Sequence, residues 1–308
     1  MSEQSNGRYY TEELLYVERE DGLLLEGALV LPASAVQATT AVVWVHGNTS
    51  RFYDDVYLFI GREVARRGYP FMTVNTHGHD VIAPIWGPKG EATPGGASWE
   101  RFSEVPLDMN AWIGYAVARG FQRVVLAGHS FGANKVVYHA AQHHGDERIV
   151  GVIAASPDIK WSAPPERLRV AEAMEAGGRM DSYMPHLDED PAWYGMSVRT
   201  FLERARIAQH VFGSDTQTPY ISNVRVPVLA FYGTEETWLG GRADLEQLKQ
   251  RAHLAPRFDV GMIEGADHAY WGKHVEAAEL IAGWIGSLKP QSEAAGEGDI
   301  RRSLVQSD

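Results

Sequence analysis

Residues 124–143 decide the reading: Val124-Val125-Leu126-Ala127, then Gly128-His129-Ser130-Phe131-Gly132, then a stretch in which Val136, Val137 and Ala140 cluster before His143. The first four residues form a short apolar run of the kind expected for a strand buried on both faces. The last stretch, Phe131 to His143, has helical spacing. Strand, tight turn and helix are the context that Gly-x-Ser-x-Gly requires of a nucleophile turn. The two glycines matter physically, because side chains at those positions would collide with neighbouring backbone on a strained turn. Ser130 is thereby expected above the sheet, with the N-terminal amides of the following helix turned towards developing negative charge.

Outward from this turn, strands and helices alternate. Glu12 to Glu18 and Leu23 to Leu31 read as a hairpin around Glu20-Asp21-Gly22. Buried strands are predicted at Ala41 to Val45, Phe71 to Val74, Val152 to Ala155, Val228 to Tyr232 and Phe258 to Ile263. Helices are predicted at Asp55 to Arg67, Leu107 to Arg119, Ala243 to Ala252 and His274 to Leu288, the first two followed by Gly68 and Gly120 as stops. Such alternation means an α/β chain with a mostly parallel central sheet and helices on both faces.

Two stretches interrupt the pattern. Val81 to Val105 is loop-like and rich in Pro and Gly, yet it carries Trp86, Trp99 and Phe102, too many aromatics for a solvated connection. Asp158 to Asn223 contains Trp161, Met174, Met180, Tyr183, Met184, Trp193, Tyr194, Met196 and Phe201 and is read as an inserted helical cap, although such aromatics also serve simply to pack an insertion on its core. The expected organisation is a core of residues 10–157 and 224–288, a cap of 158–223 and a disordered polar tail of 289–308.

Composition narrows the function classes. A formal net charge of -12 without a basic patch opposes binding to nucleic-acid phosphates or an anionic membrane. No apolar run approaches the roughly 20 residues of a membrane span, and Met1 to Tyr10 lacks the features of a signal peptide. A cytoplasmic location is the default expectation. The absence of cysteine removes thiolate catalysis and Cys-ligated zinc.

The strand, the elbow Gly128-His129-Ser130-Phe131-Gly132 and the order of motifs over about residues 10 to 288 resemble the α/β-hydrolase family. The resemblance implies that fold and a serine hydrolase. It also implies an oxyanion hole built from the backbone amides of Phe131 and of Asn48, the latter in His46-Gly47-Asn48, with His46 itself structural. In Gly265-Ala266-Asp267-His268, between the last strand and the last helix, His268 stands where the family places its general base. His274 is a poor second, and His143, His144, His186, His210 and His253 read as solvated or cap histidines. A serine hydroxyl needs such a base, and imidazole suits the role near neutrality.

The third member must be a carboxylate that holds the imidazole tautomer. Gly233-Thr234-Glu235-Glu236 resembles the family's Gly-x-x-Asp with glutamate in its place, which favours Glu236. Glu235 and Asp158, the latter after an earlier strand, stay open as alternatives. Asp267 is read as a turn former.

His77-Gly78-His79-Asp80 lacks the further ligands of a binuclear hydrolytic site, so a structural turn is expected and no metal. No cofactor is implied. The expected reaction is hydrolysis of a carboxylic ester through an acyl-enzyme on Ser130. A thioesterase, a lactonase or a carbon-carbon bond hydrolase would use the same residues, and a small-molecule receptor is the reading from another class. The aromatic and Met-rich insertion points to a small-molecule substrate with a medium to large apolar or aromatic acyl group. Oligomeric state leaves no trace in the sequence.

Overall fold

Thr40–Val45 (β3) shows how the sheet is built. Ala41, Val43 and Val45 point into one apolar cluster and Val42 and Trp44 into another, because successive strand residues face opposite sides. Val124 and Leu126 against Val125 and Ala127 repeat the division in Arg123–His129 (β7). A strand apolar on both faces needs helices on both, and the chain supplies them. Asp55–Arg66 (α1) and His274–Gly286 (α7) cover one face through Val56, Ile60, Val64, Ala278, Ile281 and Ile285. Val105–Ala118 (α2), Phe131–Gln142 (α3) and Arg242–Arg251 (α6) cover the other through Met109, Trp112, Val136, Val137, Leu245 and Leu248.

The computed structural model describes residues 9–33, 39–185, 195–213 and 217–288. The polar tail expected from 289 onward lies outside them, as do His186, Trp193 and Tyr194. Its remaining sheet strands are Tyr10–Glu18 (β1), Leu24–Pro32 (β2), Phe71–Val74 (β4), Ile149–Ala155 (β8), Val228–Gly233 (β9) and Phe258–Ile263 (β10). Eight strands lie in the order β1-β2-β4-β3-β7-β8-β9-β10. β2 is antiparallel to both its neighbours, and every pairing from β4 through β10 is parallel. The loops after β3, β7, β8, β9 and β10 therefore emerge at one edge. In open α/β sheets that carboxyl edge is where ligands bind.

The Val81 to Val105 stretch is not only loop. It holds a two-stranded hairpin, Ala83–Trp86 (β5) with Ala92–Gly95 (β6), that short-range alternation did not reveal. Phe102 goes into the core against Phe131 and Tyr138, while Trp99 reaches the segment between β8 and β9, donating to the Tyr183 hydroxyl at 3.1 Å. That segment contains Pro165–Ala176 (α4) and Val198–Arg206 (α5), with Ser197 capping α5 by accepting from the Thr200 amide at 3.1 Å. Met174, Met184, Met196, Phe201 and Leu202 pack into a cluster of their own, joined by Trp161 and Met180. It rests on the Ala97 to Ser103 stretch, where Ser197 N and Thr200 Oγ1 donate to Ser98 O at 2.8 and 3.1 Å and Ser103 donates to Glu203. Of the two readings open for His210, solvated or in the cap, the structure excludes solvation, since it is buried within the segment between β8 and β9.

Three other histidines are buried without charge. Burial pushes His46 well below its ordinary range, with Lys135 adding to the effect. Burial, then the neighbouring His268, lowers His129 to about 3, and burial, then His143, lowers His139 to about 3. Each has an unfolded pKa near 6.5, so below that pH the unfolded chain binds protons that the folded one refuses. Their contribution to stability is complete above about pH 6.5 and is lost as pH falls towards the folded values, at about 1.4 kcal/mol per pH unit for each. Urea unfolding at pH 7.5, 6 and 5 is expected to show this acid loss. His139→Leu should remove one histidine from the slope and raise stability at neutral pH, because neither ring nitrogen has a hydrogen-bond partner among the described residues. A slope unchanged in that variant would contradict the assignment.

Candidate active site

Ser130 sits between the last residue of β7 and the first of α3 with φ 54 and ψ -124, a conformation an L-residue rarely adopts. What holds it there is close backbone packing. A Cβ on Gly128 would stand 2.2 Å from Gly132 O, and one on Gly132 would stand 2.4 Å from Val45 O. Both glycines are thus required by contact, not by flexibility. The Ser130 amide donates to Ala155 O of β8 at 2.8 Å, fastening the elbow to the next strand. Gly47 completes the approach, since a Cβ there would come within 3.2 Å of Ser130 Cβ.

The loop after β3 carries Asn48 beside this serine. It turns sharply: Thr49 has φ 60, and Ser50 N donates to Gly47 O at 3.3 Å. His46 is buried beneath, with Nδ1 bonded to Gly47 O at 2.8 Å and Nε2 accepting from Thr76 N at 3.2 Å, so it braces the loop and does not reach the cavity wall. Gly47 N donates to the Tyr57 hydroxyl at 3.1 Å, which pairs in turn with His129 Nδ1 at 2.9 Å. Phe131 opens α3, and a helix leaves its first amides without intrahelical partners.

From the far side of the sheet edge comes His268. Its Nδ1 lies 2.6 Å from Glu236 Oε2, and the Glu236 side chain is buried. The other carboxylate oxygen, Oε1, accepts from the amides of Trp238 at 2.8 Å and Leu239 at 3.3 Å, so the loop after β9 wraps around its own glutamate. The His268 main chain is held as well, its carbonyl accepting from His129 Nε2 at 2.8 Å and Ser156 Oγ at 3.3 Å. Asp267 makes the expected turn, accepting from the Ala269 and Trp271 amides.

Of the three candidate acids, the structure brings Glu236 to the imidazole and not Glu235, which is exposed. Asp158 lies on the cavity wall with Ser130 and His268. Its carboxylate accepts from Trp161 N at 3.3 Å, and burial raises its pKa. His274 stands at the start of α7 against the Phe59 ring. His77 is spent on Asp108 at 2.6 Å and on the Arg101 amide, and His79 on Asp80. Among the described residues no group of three or more His, Cys, Asp or Glu side chains is arranged to hold a metal ion. Nor is any helix long and apolar enough to cross a membrane.

The cavity that Ser130 and His268 share has a volume of about 720 Å3. Its aromatic wall departs from expectation. Trp238, Trp271 and Tyr53 line it, 73%, 56% and 49% exposed, and they come from the core loops after β9, β10 and β3. Among the described aromatics of the insertion, Trp161 and Phe201 pack on each other, Tyr183 packs on Trp99 of the Ala97 to Ser103 ledge, and Phe212 and Tyr220 pack on the main core. Trp238 stacks on the His268 ring at 5.7 Å. A tryptophan two residues after Glu236 and another three after His268 was the signal available in the sequence, and hydrophobic periodicity does not register it.

An eight-stranded sheet with β2 reversed, an elbow serine after β7 and a carboxylate-held histidine after β10 define the architecture of an α/β hydrolase. The chain matches the model of the alpha/beta hydrolase family over residues 42–282 and belongs to that family. No curated protein matches it in sequence. Among solved structures it is similar to a soluble variant of monoglyceride lipase from Saccharomyces cerevisiae in complex with a substrate analogue, at TM-score 0.64 and 14% identity, covering 94% of this chain and 100% of that one. It is also similar to Est1E from Butyrivibrio proteoclasticus with ferulic acid bound, at TM-score 0.62 and 15% identity over 89% of this chain and 98% of that one. An esterase of Pyrococcus furiosus follows at TM-score 0.58 and 14% identity, over 91% and 94%.

Proposed function

We propose that this protein hydrolyses carboxylic esters through an acyl-enzyme on Ser130, with His268 as general base, Glu236 as the acid that holds its tautomer, and the Asn48 and Phe131 amides as oxyanion donors. The observation that carries the proposal is the 2.6 Å bond between His268 Nδ1 and the buried Glu236 carboxylate, on the wall of the cavity that Ser130 also lines. Ser130 Oγ attacks the carbonyl carbon while His268 Nε2 takes its proton, and the carbonyl oxygen becomes an oxyanion between the two amides. Collapse expels the alcohol, which receives the proton from His268. Water then attacks the acyl group with His268 again as base, releasing the acid and restoring the Ser130 hydroxyl. No cofactor enters these steps. An ester rather than another acyl bond is favoured by the esterase and lipase neighbours.

The acyl group is apolar or aromatic on this reading, and its platform is Trp238 and Trp271 rather than the insertion. The ferulic acid in Est1E favours the same choice. The segment 158–223 acts as a cap on this reading, and the contacts of its described residues Tyr183, Ser197, Thr200 and Glu203 with residues 98–103 support it. Trp238→Ala is expected to raise KM about 10-fold for an aryl-acyl ester, the loss of one aromatic contact of about 1.4 kcal/mol, and to leave an acetyl ester within about twofold. Equal effects on the two esters would remove the platform from the proposal. The activity itself is tested with a fluorophosphonate and peptide mass spectrometry. A stoichiometric adduct on Ser130 that is lost in His268→Ala is expected, followed by turnover of esters in preference to thioesters, lactones and diketones. An unlabelled native protein would favour a binding protein on the same fold.

A further inference from the structure

Arg204 belongs to α5 of the β8–β9 insertion, yet its guanidinium is buried against the core. Nη2 donates to Asn48 Oδ1 at 3.0 Å and to Ala97 O at 3.3 Å, and it lies 3.5 Å from Glu100 Oε2. The guanidinium carbon stands 4.6 Å from the centre of the Phe131 ring. One cation from the insertion therefore touches the side chains of both residues whose amides are assigned to the oxyanion. Those residues arrive from separate elements, one on the strained loop at Thr49 and the other at the start of α3. The charge is balanced in place. Glu100 is buried and pairs with Lys135 Nζ at 2.5 Å, and Lys135 donates onward to Thr76 Oγ1 at 2.9 Å. Although burial opposes ionisation of Glu100, Lys135 and then Arg204 outweigh it and hold its carboxyl below the usual range.

We infer that Arg204 is a positioning residue that makes the oxyanion site conditional on seating of the insertion: it ties Asn48 to Phe131 and thereby sets the spacing of the two amides. The inference rests on the ester-hydrolase reading above. An oxyanion donor acts only within about 2.7–3.1 Å of where the charge develops, so a small relaxation of the Asn48 loop weakens it. The substrate carbonyl carries little of that charge in the ground state, and the loss therefore falls on the transition state.

Arg204→Met is expected to lower kcat about 10- to 100-fold with KM within about twofold, short of the full loss of one donor. The inhibition constant of an aryl trifluoromethyl ketone, whose adduct with Ser130 places an oxyanion in the same position, should rise by the same factor. Arg204→Lys keeps one donor to Asn48 and should recover part of both. In a double-mutant cycle, Arg204→Met with Asn48→Ala should cost no more than the worse single change, because both break one link. Additive losses, an unchanged kcat, or a fall in kcat without weaker ketone binding would overturn the inference. Glu100 keeps Lys135 in Arg204→Met; should that variant nevertheless fail to fold, Asn48→Ala in the otherwise native protein reads the same link, and unchanged ketone binding there would overturn it. Absence of Ser130 labelling in native protein would remove the ester-hydrolase reading and this inference together, whereas labelling and turnover with an indifferent Arg204 variant would remove the inference alone.

Discussion

With Ser130 as the proposed nucleophile, Ser130→Ala is expected to lower kcat on the order of 10^6-fold, because a nucleophile is one member of a unit whose parts act together. Its consequence for stability is separate and equally checkable. Ser130 is held at φ 54 and ψ -124 by the contacts of Gly128 and Gly132, and such a conformation costs a residue with a Cβ about 1–3 kcal/mol. Alanine keeps that cost, so Ser130→Ala should unfold in urea close to the native midpoint. Glycine removes it and adds back about 0.5–1 kcal/mol of chain entropy, so Ser130→Gly should be inactive and more stable than native by about 1 kcal/mol. A destabilised glycine variant would mean that the elbow is not strained, and turnover of either variant within about 100-fold of native would mean that another group attacks the ester.

Glu236→Gln is expected to cost about 10^4-fold in kcat with little change in KM, since an amide in place of the carboxylate no longer imposes the proton on Nδ1. Two further variants separate the acids. Glu236→Asp shortens the side chain by one methylene, so it cannot span from the Trp238 and Leu239 amides to His268 as Glu236 does, and an intermediate loss is expected. Asp158→Asn should retain kcat within about tenfold, because Asp158 accepts from Trp161 N and makes no bond to His268. The opposite ranking, with Asp158→Asn the more damaging, would move the acid to the strand before and leave Glu236 as a turn brace. All three are read by steady-state hydrolysis of a single aryl ester.

The order of elements was legible because each core strand is a short apolar run and each helix repeats at 3.6 residues, signals carried within a dozen neighbouring positions. The elbow turn was legible for a related reason, since Gly128, Gly132 and the serine between them obey a local steric rule, whereas His268 was singled out by the resemblance to α/β hydrolases, from its place after the last strand. The β5–β6 hairpin escaped because Pro84, Gly87, Pro88, Gly90, Pro94 and Gly95 mask its alternation. Whether His210 was solvated or packed stayed open because a lone histidine gives no sign of its burial.

By itself the sequence determined the alternating architecture and the place of Ser130 on a turn between strand and helix, which are properties of contiguous residues. The resemblance to α/β hydrolases added His268 and a short set of acids for it. Only the tertiary structure decided which carboxylate meets the imidazole, which aromatics share the cavity with the serine and what lies against the Asn48 loop. Glu235 and Glu236 are neighbours in the chain, but a one-residue step in a turn reverses the side chain, and the Trp238 and Leu239 amides hold Glu236 inward. Arg204 lies 156 residues from Asn48 and 104 from Glu100. Contacts at such separations depend on how the insertion seats on the core, and nothing in the local pattern of either segment encodes them.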